Sequence, residues 1–299
     1  MHIGSMISGA SNPFFSLEFF PPVDESQLPS FFNTAERLRI LSPLFVSVTH
    51  GASGSQHRNT LAVTAELARR DFTCMPHLTC VGAEPGGIAQ FLRELRAASV
   101  DNVLALRGDT PAWQSRSAEE HFKHAGDLVA FIRANAPDMG IGVAAYPAPH
   151  PESLTFTEDR EYTAQKLRSG ADFAVTQLFF DVREYENLVT SLRVRGVNTP
   201  VVPGILPIQS FDSLRRVLSM CGANIPGNFY LDLEEALRNG GEEALREAGL
   251  KFAVRQIRHL LDMGAPGIHL YTLNRSELCL RIADEAKLGR SKSNSSKTV

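Results

Sequence analysis

The chain has 299 residues, 43% hydrophobic and 21% charged, with a formal net charge of -3. That length suits two domains or one α/β barrel, and the near-balanced charge gives no electrostatic reason to expect nucleic acid or an anionic membrane as partner. The first residues lack the basic-then-apolar order of a signal peptide and no apolar run approaches a membrane span, while Cys74, Cys80, Cys221 and Cys279 show no C-x-x-C spacing, so a soluble cytoplasmic protein without structural metal or disulfides is expected.

In chain order, residues 1–13 read as a flexible N-terminal segment. Phe14 to Phe20 is a short aromatic and aliphatic run closed by Pro21 and Pro22, which cannot continue a ladder, and reads as a buried strand. Glu18 stands near its end. Burial would raise the pKa of this carboxyl unless something pairs with it, which would make it a proton donor near neutral pH; the alternative is an ordinary strand-end carboxylate. A helix is expected over Gln27–Leu41, then a strand over Leu44–Thr49, a helix over Asn59–Arg70 and a strand over Phe72–Thr79 carrying His77. A helix over Pro85–Ala98 precedes the strand Asn102–Leu106, with Arg107, Gly108 and Asp109 at its exit. A loop through Trp113 leads to a helix over His121–Asn135 and a strand over Ile141–Tyr146. Helix Asp159–Ser169, strand Phe173–Phe180 with Gln177, helix Tyr185–Arg195 and strand Pro200–Leu206 with Gly204 follow. Ser210 caps a helix to Met220, an insertion from Gly222 to about Gly241 precedes a helix over Glu242–Met263, and the strand Gly267–Leu273 leads into a last helix from Asn274. Residues 290–299 form a Ser/Lys tail expected to be disordered.

Eight near-continuous apolar strands alternating with helices predict a parallel sheet covered on both faces, here a single-domain (β/α)8 TIM barrel over residues 14–289. A doubly wound open sheet is the alternative, weakened because Glu18-Phe19-Phe20-Pro21-Pro22 stands where a G-x-G-x-x-G loop would follow the first strand. Barrel active sites lie at the C-terminal ends of the strands. The groups near those ends are Glu18, Thr49, His77, Arg107 with Asp109, Tyr146, Gln177 and Tyr271, with Gly204 on the remaining strand. Each has a bland reading (a core histidine, a surface ion pair, a core aromatic), but a structural barrel has no need of such a ring. There is no G-x-S-x-G elbow, P-loop or H-E-x-x-H. Glu18 and Asp109 could form an acid/base pair as in a glycosidase, yet the aromatic and hydrogen-bonding mouth suits a planar cofactor better than a sugar.

Eight motifs in order carry a resemblance: Leu17-Glu18-Phe19-Phe20-Pro21-Pro22, Val46-Ser47-Val48-Thr49, Pro76-His77-Leu78-Thr79-Cys80, Leu104-Ala105-Leu106-Arg107-Gly108-Asp109, Ala144-Ala145-Tyr146-Pro147 with His150-Pro151-Glu152, Thr176-Gln177-Leu178-Phe179-Phe180-Asp181, Pro203-Gly204-Ile205-Leu206-Pro207 and Tyr271-Thr272-Leu273-Asn274-Arg275. From Ser16 to Leu288 the chain resembles the methylenetetrahydrofolate reductase family. The resemblance implies non-covalent FAD, NADH or NADPH as hydride donor, and reduction of 5,10-methylenetetrahydrofolate to 5-methyltetrahydrofolate in two half-reactions, in one-carbon metabolism and methionine synthesis. It implies that Glu18 is the general acid and that Asp109 lies between flavin and folate. Gln177, Tyr271 and Arg275 match substrate positions. Thr49, His77, Arg107, Gly108, Asp109, His124, Ala125, Tyr146, His150, Asp159 and Lys166 match flavin positions, with Arg107 and Lys166 toward polar and phosphate groups. The family resemblance also implies a homo-oligomer, and a chain ending near the barrel's end implies no added C-terminal regulatory domain. His50 and His124 stand where the family has Tyr, and Ser213 and Val217 where it often has a Gln and a Phe toward the nicotinamide. Those departures keep open a divergent member with another hydride donor or no flavin, beside a non-catalytic folate-binding barrel.

Overall fold

In the computed structural model, which describes residues 1–50, 56–109 and 121–288, each strand shows its two faces to two different environments. On β1 (Phe14–Phe19), Phe15, Leu17 and Phe19 pack outward against Phe31, Ala35 and Leu38 of α2 (Leu28–Leu38). Phe14, Ser16 and Glu18 alternate with them and point inward, as the period of two requires. The same phase runs through β2 (Val46–Val48), β3 (Cys74–Thr79), β4 (Asn102–Leu106), β5 (Gly140–Ala145), β6 (Phe173–Thr176), β7 (Val201–Val202), β8 (Gly204–Ile205) and β9 (Gly267–Tyr271). All pairings are parallel, in the order β7-β6-β5-β4-β3-β2-β1-β9-β8.

The expected seventh strand is thus two pieces. Pro203 has no N–H to give a ladder, and it divides Val201–Val202, which pair with β6, from Gly204–Ile205, which pair with β9. Chain continuity across Pro203 closes the ring, and His269 N–H donates to the Pro203 carbonyl at 2.9 Å across the join. The (β/α)8 barrel is the observed architecture. Its outer ring comprises α3 (Gln56–Arg69), α4 (Pro85–Ala97), α5 (Ala125–Asn135), α6 (Phe156–Arg168), α7 (Val182–Val194), α8 (Phe211–Cys221), α9 (Gly227–Asp262) and α10 (Ser276–Ala286), together with α2.

Two stretches differ from expectation. The N-terminal segment is a helix, α1 (Ile3–Gly9), whose Ile3 and Ile7 plug the barrel floor against Phe14, Phe45, Met75, Leu104 and Phe173. Asn102 holds it there, its Oδ1 accepting from Ile3 N–H and its Nδ2 donating to the Met1 carbonyl, both at 2.9 Å. The polar side chain lay on a strand read only for its apolar period, so the anchor was not visible as one. The insertion before the long helix is itself mostly helical: α9 begins at Gly227 and breaks at Gly241, where φ is 65°. Phe229 and Leu233 of its first half join Leu245 of its second, Leu214 of α8 and Leu178, Phe180 and Ile208 in a separate apolar cluster. The Trp113 loop and the Ser/Lys tail lie outside the described residues. Among the described residues no helix is long and apolar enough to cross a membrane.

Candidate active site

Climbing the barrel interior from the floor, each inward position becomes more polar. β1 runs Phe14, Ser16, Glu18; the β2 segment Phe45, Ser47, Thr49; β3 Met75, His77, Thr79; β9 Gly267, His269, Tyr271. On β5 the inward residues are instead Gly140, Gly142 and Ala144. Phe173 and Leu104 fill the space beside Gly142, and above them a cavity of about 1260 Å³, lined by Ala144, takes in Glu18 and residues of α5 and α6. It exceeds the usual ~300–1,000 Å³ of a small-ligand pocket.

Of the residues matched to catalytic, substrate and flavin positions, all line this cavity except Thr49 and Arg275. Thr49 is occupied by backbone, its N–H donating to the Phe19 carbonyl at 3.0 Å and its carbonyl accepting from Thr60 Oγ at 3.1 Å. Arg275 is the exposed N-cap of α10, placed by two left-handed residues, Leu273 at φ 51° and Asn274 at φ 55°. Asn274 in turn clamps the exit of β1, accepting from Phe20 N–H at 3.1 Å and donating to its carbonyl at 2.7 Å.

Glu18 is buried, with 6% of its surface exposed, and it is not isolated. Its Oε2 lies 3.2 Å from His77 Nε2, off the line of a hydrogen bond, and 3.3 Å from His269 Nε2. Ser47 Oγ donates to the same oxygen at 3.3 Å. Burial alone would raise the pKa of this carboxyl, but the two imidazoles outweigh it and bring the pKa from 4.5 down to about 2. The pairing that the sequence reading left open is present: Glu18 belongs to a carboxylate–imidazole cluster that depresses its pKa. His269, Ser16 and Ser47 escaped the sequence reading; their shared inward parity with Glu18 and Tyr271 is the signal that could have found them.

Across the cavity the charges are differently arranged. Arg107 forms a two-pronged pair with Glu152, at 2.6 and 2.8 Å, rather than with Asp109. Gly108, at φ 85°, has room for no side chain, since a Cβ would sit 3.0 Å from Thr79 Cβ and from Val81. Backbone is therefore presented bare to the cavity at this turn. Burial pushes the Lys166 ammonium down to about 8, partly offset by Asp159, and its Nζ lies 5.9 Å from the Tyr146 ring centre. Tyr146 meets His150 edge-on at 4.8 Å. Asp159 is spent on the loop, accepting from His150 N–H at 2.9 Å and Ser153 Oγ at 3.3 Å. Arg160, 2% exposed, ties that loop down by donating to the Tyr146 and Pro147 carbonyls at 2.7 and 2.6 Å. His124 caps α5 and stacks on Tyr162 at 6.1 Å and 16°.

Gly204 admits Tyr271: a Cβ there would lie 2.8 Å from its ring and 2.5 Å from the Thr176 carbonyl, to which Tyr271 Oη donates at 2.8 Å. Gln177, just beyond β6, lines the cavity with its amide oxygen accepting from Leu178 N–H at 2.9 Å. Ser213 and Val217 do not line it. Ser213 is locked into the α8 cap, exchanging hydrogen bonds with Ser210 at 3.1 Å in each direction, and Val217 packs into the apolar cluster under that helix.

Residues 3–287 match the family model described as methylenetetrahydrofolate reductase. The chain belongs to this family. It is 36% identical over 300 residues to "Methylenetetrahydrofolate reductase (NADH) 1" of Arabidopsis thaliana, covering 93% of this chain and 50% of that protein. It is 32% identical over 268 residues to "5,10-methylenetetrahydrofolate reductase" of Pectobacterium carotovorum subsp. carotovorum, covering 89% of this chain and 88% of that one. The chain thus spans about half the length of the plant relative and most of the bacterial one. Among solved structures, an uncharacterized Clostridium thermocellum protein that binds two copies of 5-methyl-5,6,7,8-tetrahydrofolic acid superposes with a TM-score of 0.64 at 12% identity, over 96% of this chain and 99% of that one, a likeness of fold.

Proposed function

We propose that this barrel reduces 5,10-methylenetetrahydrofolate to 5-methyltetrahydrofolate with hydride from NADH or NADPH, carried by a non-covalently bound FAD. One observation supports the reading: a single cavity is lined both by Glu18 and His77 of the carboxylate–imidazole cluster and by Lys166, Arg107 and the bare backbone of Gly108, groups that suit a nucleotide cofactor. The residues present fit FAD. The cavity of about 1260 Å³ is larger than the usual small-ligand pocket, Gly108 lets backbone approach a flat ring, and Lys166 is a half-buried cation whose pKa burial depresses against the pull of Asp159. The α5 N-terminus at Ala125 and Gly126 lines the same wall, and the N–H groups of a helix N-terminus suit phosphate. Bound there, the flavin would supply two-electron transfer between nicotinamide and folate.

The chain's own residues do the rest. The Glu18 cluster holds the proton that opens the folate's imidazolidine ring, and Asp109, on the cavity wall, sets negative charge against the cation that opening creates. Gln177 and Tyr271 border the space for the pterin. The assembly is proposed to be a homo-oligomer in the cytoplasm.

The test is spectroscopic and kinetic. The purified protein, supplied with FAD, is expected to show flavin absorbance that bleaches on anaerobic mixing with NADH or NADPH and returns on adding methylenetetrahydrofolate. A protein that takes up no FAD overturns the reading. The locked Ser213 and inward-packed Val217 favour one variant of it, a nicotinamide seat built without the α8 ring. Bleaching by neither nicotinamide, with FAD bound, would favour another hydride donor.

A further inference from the structure

Below Glu18, sealed from the cavity, lies a pair of groups that the reaction above does not use. His269 is completely buried, and each of its ring nitrogens has a polar neighbour. Nε2 faces Glu18 Oε2 at 3.3 Å and Ser47 Oγ at 3.4 Å; Nδ1 faces Ser16 Oγ at 2.8 Å. Ser16, also completely buried, reaches the Ile268 carbonyl at 3.5 Å. The ring cannot turn freely, because Phe45 stacks on it at 5.9 Å and Tyr271 meets it edge-on at 5.5 Å.

Hydrogen-bond accounting restricts where protons sit. The Ser16 hydroxyl has one hydrogen: turned to the Ile268 carbonyl at 3.5 Å it must accept from His269 Nδ1–H, and turned to Nδ1 at 2.8 Å it donates there. With Nδ1 protonated, Nε2 and Glu18 Oε2 face each other as two acceptors unless one further proton lies between them. That proton is on the imidazole beside a carboxylate, or on the carboxyl beside a neutral ring. Both states leave every bond of Ser16 unchanged. The rival arrangement, Ser16 donating to Nδ1 and Nε2–H donating to an ionised Glu18, leaves no proton to spare.

We propose that Ser16 and His269 are positioning residues that store the proton Glu18 delivers to the cavity, the Ser16 hydroxyl holding His269 in its Nδ1–H form. The transfer breaks the Nε2–H bond and forms Oε2–H on Glu18, leaving a neutral ring. The Oε2–H bond then breaks as the proton passes to a basic nitrogen of the substrate, its electron pair returning to the carboxylate, and one proton from solvent reloads the pair. The groups facing Glu18 are Ser47 from β2, His77 from β3, and His269 and Tyr271 from β9; those facing His269 are Ser16, Glu18 and Ser47. Tyr271 stays neutral, because burial lifts its pKa well above 10. His77 is the unsealed neighbour, lining the cavity and off the hydrogen-bond line to Glu18, so it biases the local charge while His269 holds the proton.

This rests on the reading of Glu18 as the acid of folate reduction, and the experiment separates the two. The rate of flavin reoxidation by methylenetetrahydrofolate is measured against pH for the wild-type protein, Ser16→Ala and Ser16→Thr, beside flavin reduction by NADH. Losing an acceptor for Nδ1–H disfavours the protonated pair, so the alkaline fall of the folate step should move about one pH unit toward acid in Ser16→Ala. Ser16→Thr should restore it, and NADH reduction should stay unchanged in both. A Ser16→Ala profile superimposable on the wild type overturns the proposal. The second readout needs no turnover: in ¹⁵N-histidine-labelled protein, the His269 signal, assigned by its loss in His269→Gln, should show a protonated Nδ1 that Ser16→Ala releases. A wild-type Nε2–H tautomer overturns the proposal, and if no variant reduces folate, the proposed function fails while this signal still decides the pair.

Discussion

The floor and the mouth of this barrel are built from the same strands in the same phase, yet they hold opposite chemistries. Two residues above Phe14 stands Ser16, and two above that Glu18; above Phe45 stand Ser47 and Thr49, above Met75 His77 and Thr79. The lower layer is dry, with Phe45 and Phe173 rings 5.7 Å apart and α1 sealing it from below. The upper layer is a set of polar groups facing one another across neighbouring strands. The difference teaches a division of labour: apolar packing below fixes the strand register, and that register brings a carboxylate and two imidazoles within 3.3 Å above.

Substitutions at the two levels should therefore separate activity from stability. The largest effect is expected from Glu18→Gln, which should slow folate turnover by about 10²–10⁴-fold while flavin reduction by NADH continues, as read by stopped flow. Loss of both half-reactions together would break the separation. Phe173→Ala at the floor should do the reverse, lowering unfolding free energy by about 3–5 kcal/mol in denaturant while turnover per folded molecule holds. Lys166→Met should weaken FAD binding by about ten- to a hundredfold, followed by quenching of flavin fluorescence. Because burial brings Lys166 to about 8, wild-type affinity should also fall as the pH rises through that value, and the Met variant should lose this dependence.

The smallest effect concerns acid stability. The folded-state pKa of Glu18 is depressed, so its pairing stabilises the fold fully above the unfolded value of 4.5 and is lost as pH falls toward about 2. Glu18→Gln should accordingly flatten the fall in thermal midpoint between about pH 4.5 and 2, whereas Phe173→Ala should shift the whole curve without changing its slope.

Much of this was legible one residue at a time. The alternating strands and helices, the exits carrying Arg107, Gly108 and Asp109, and the mouth positions Glu18, His77, Tyr146, Gln177 and Tyr271 follow from local apolar period and turn residues, and the cavity gathers them. Partners were not legible. Arg107 reaches Glu152, 45 positions away, rather than the adjacent acid, and Asn102 holds the chain terminus about a hundred positions back. Nothing in a local window records such distances.

Residue type and the period of two thus determined by themselves which side chains enter the barrel and which end of it is polar, because both depend on backbone geometry within a few residues. Only the tertiary structure decided the protonation logic. Parallel pairing of β9 with β1 puts His269 against residues 253 and 251 positions earlier, Ser16 and Glu18. A carboxyl's charge is set by what surrounds it in space, and here the surroundings come from opposite ends of the chain.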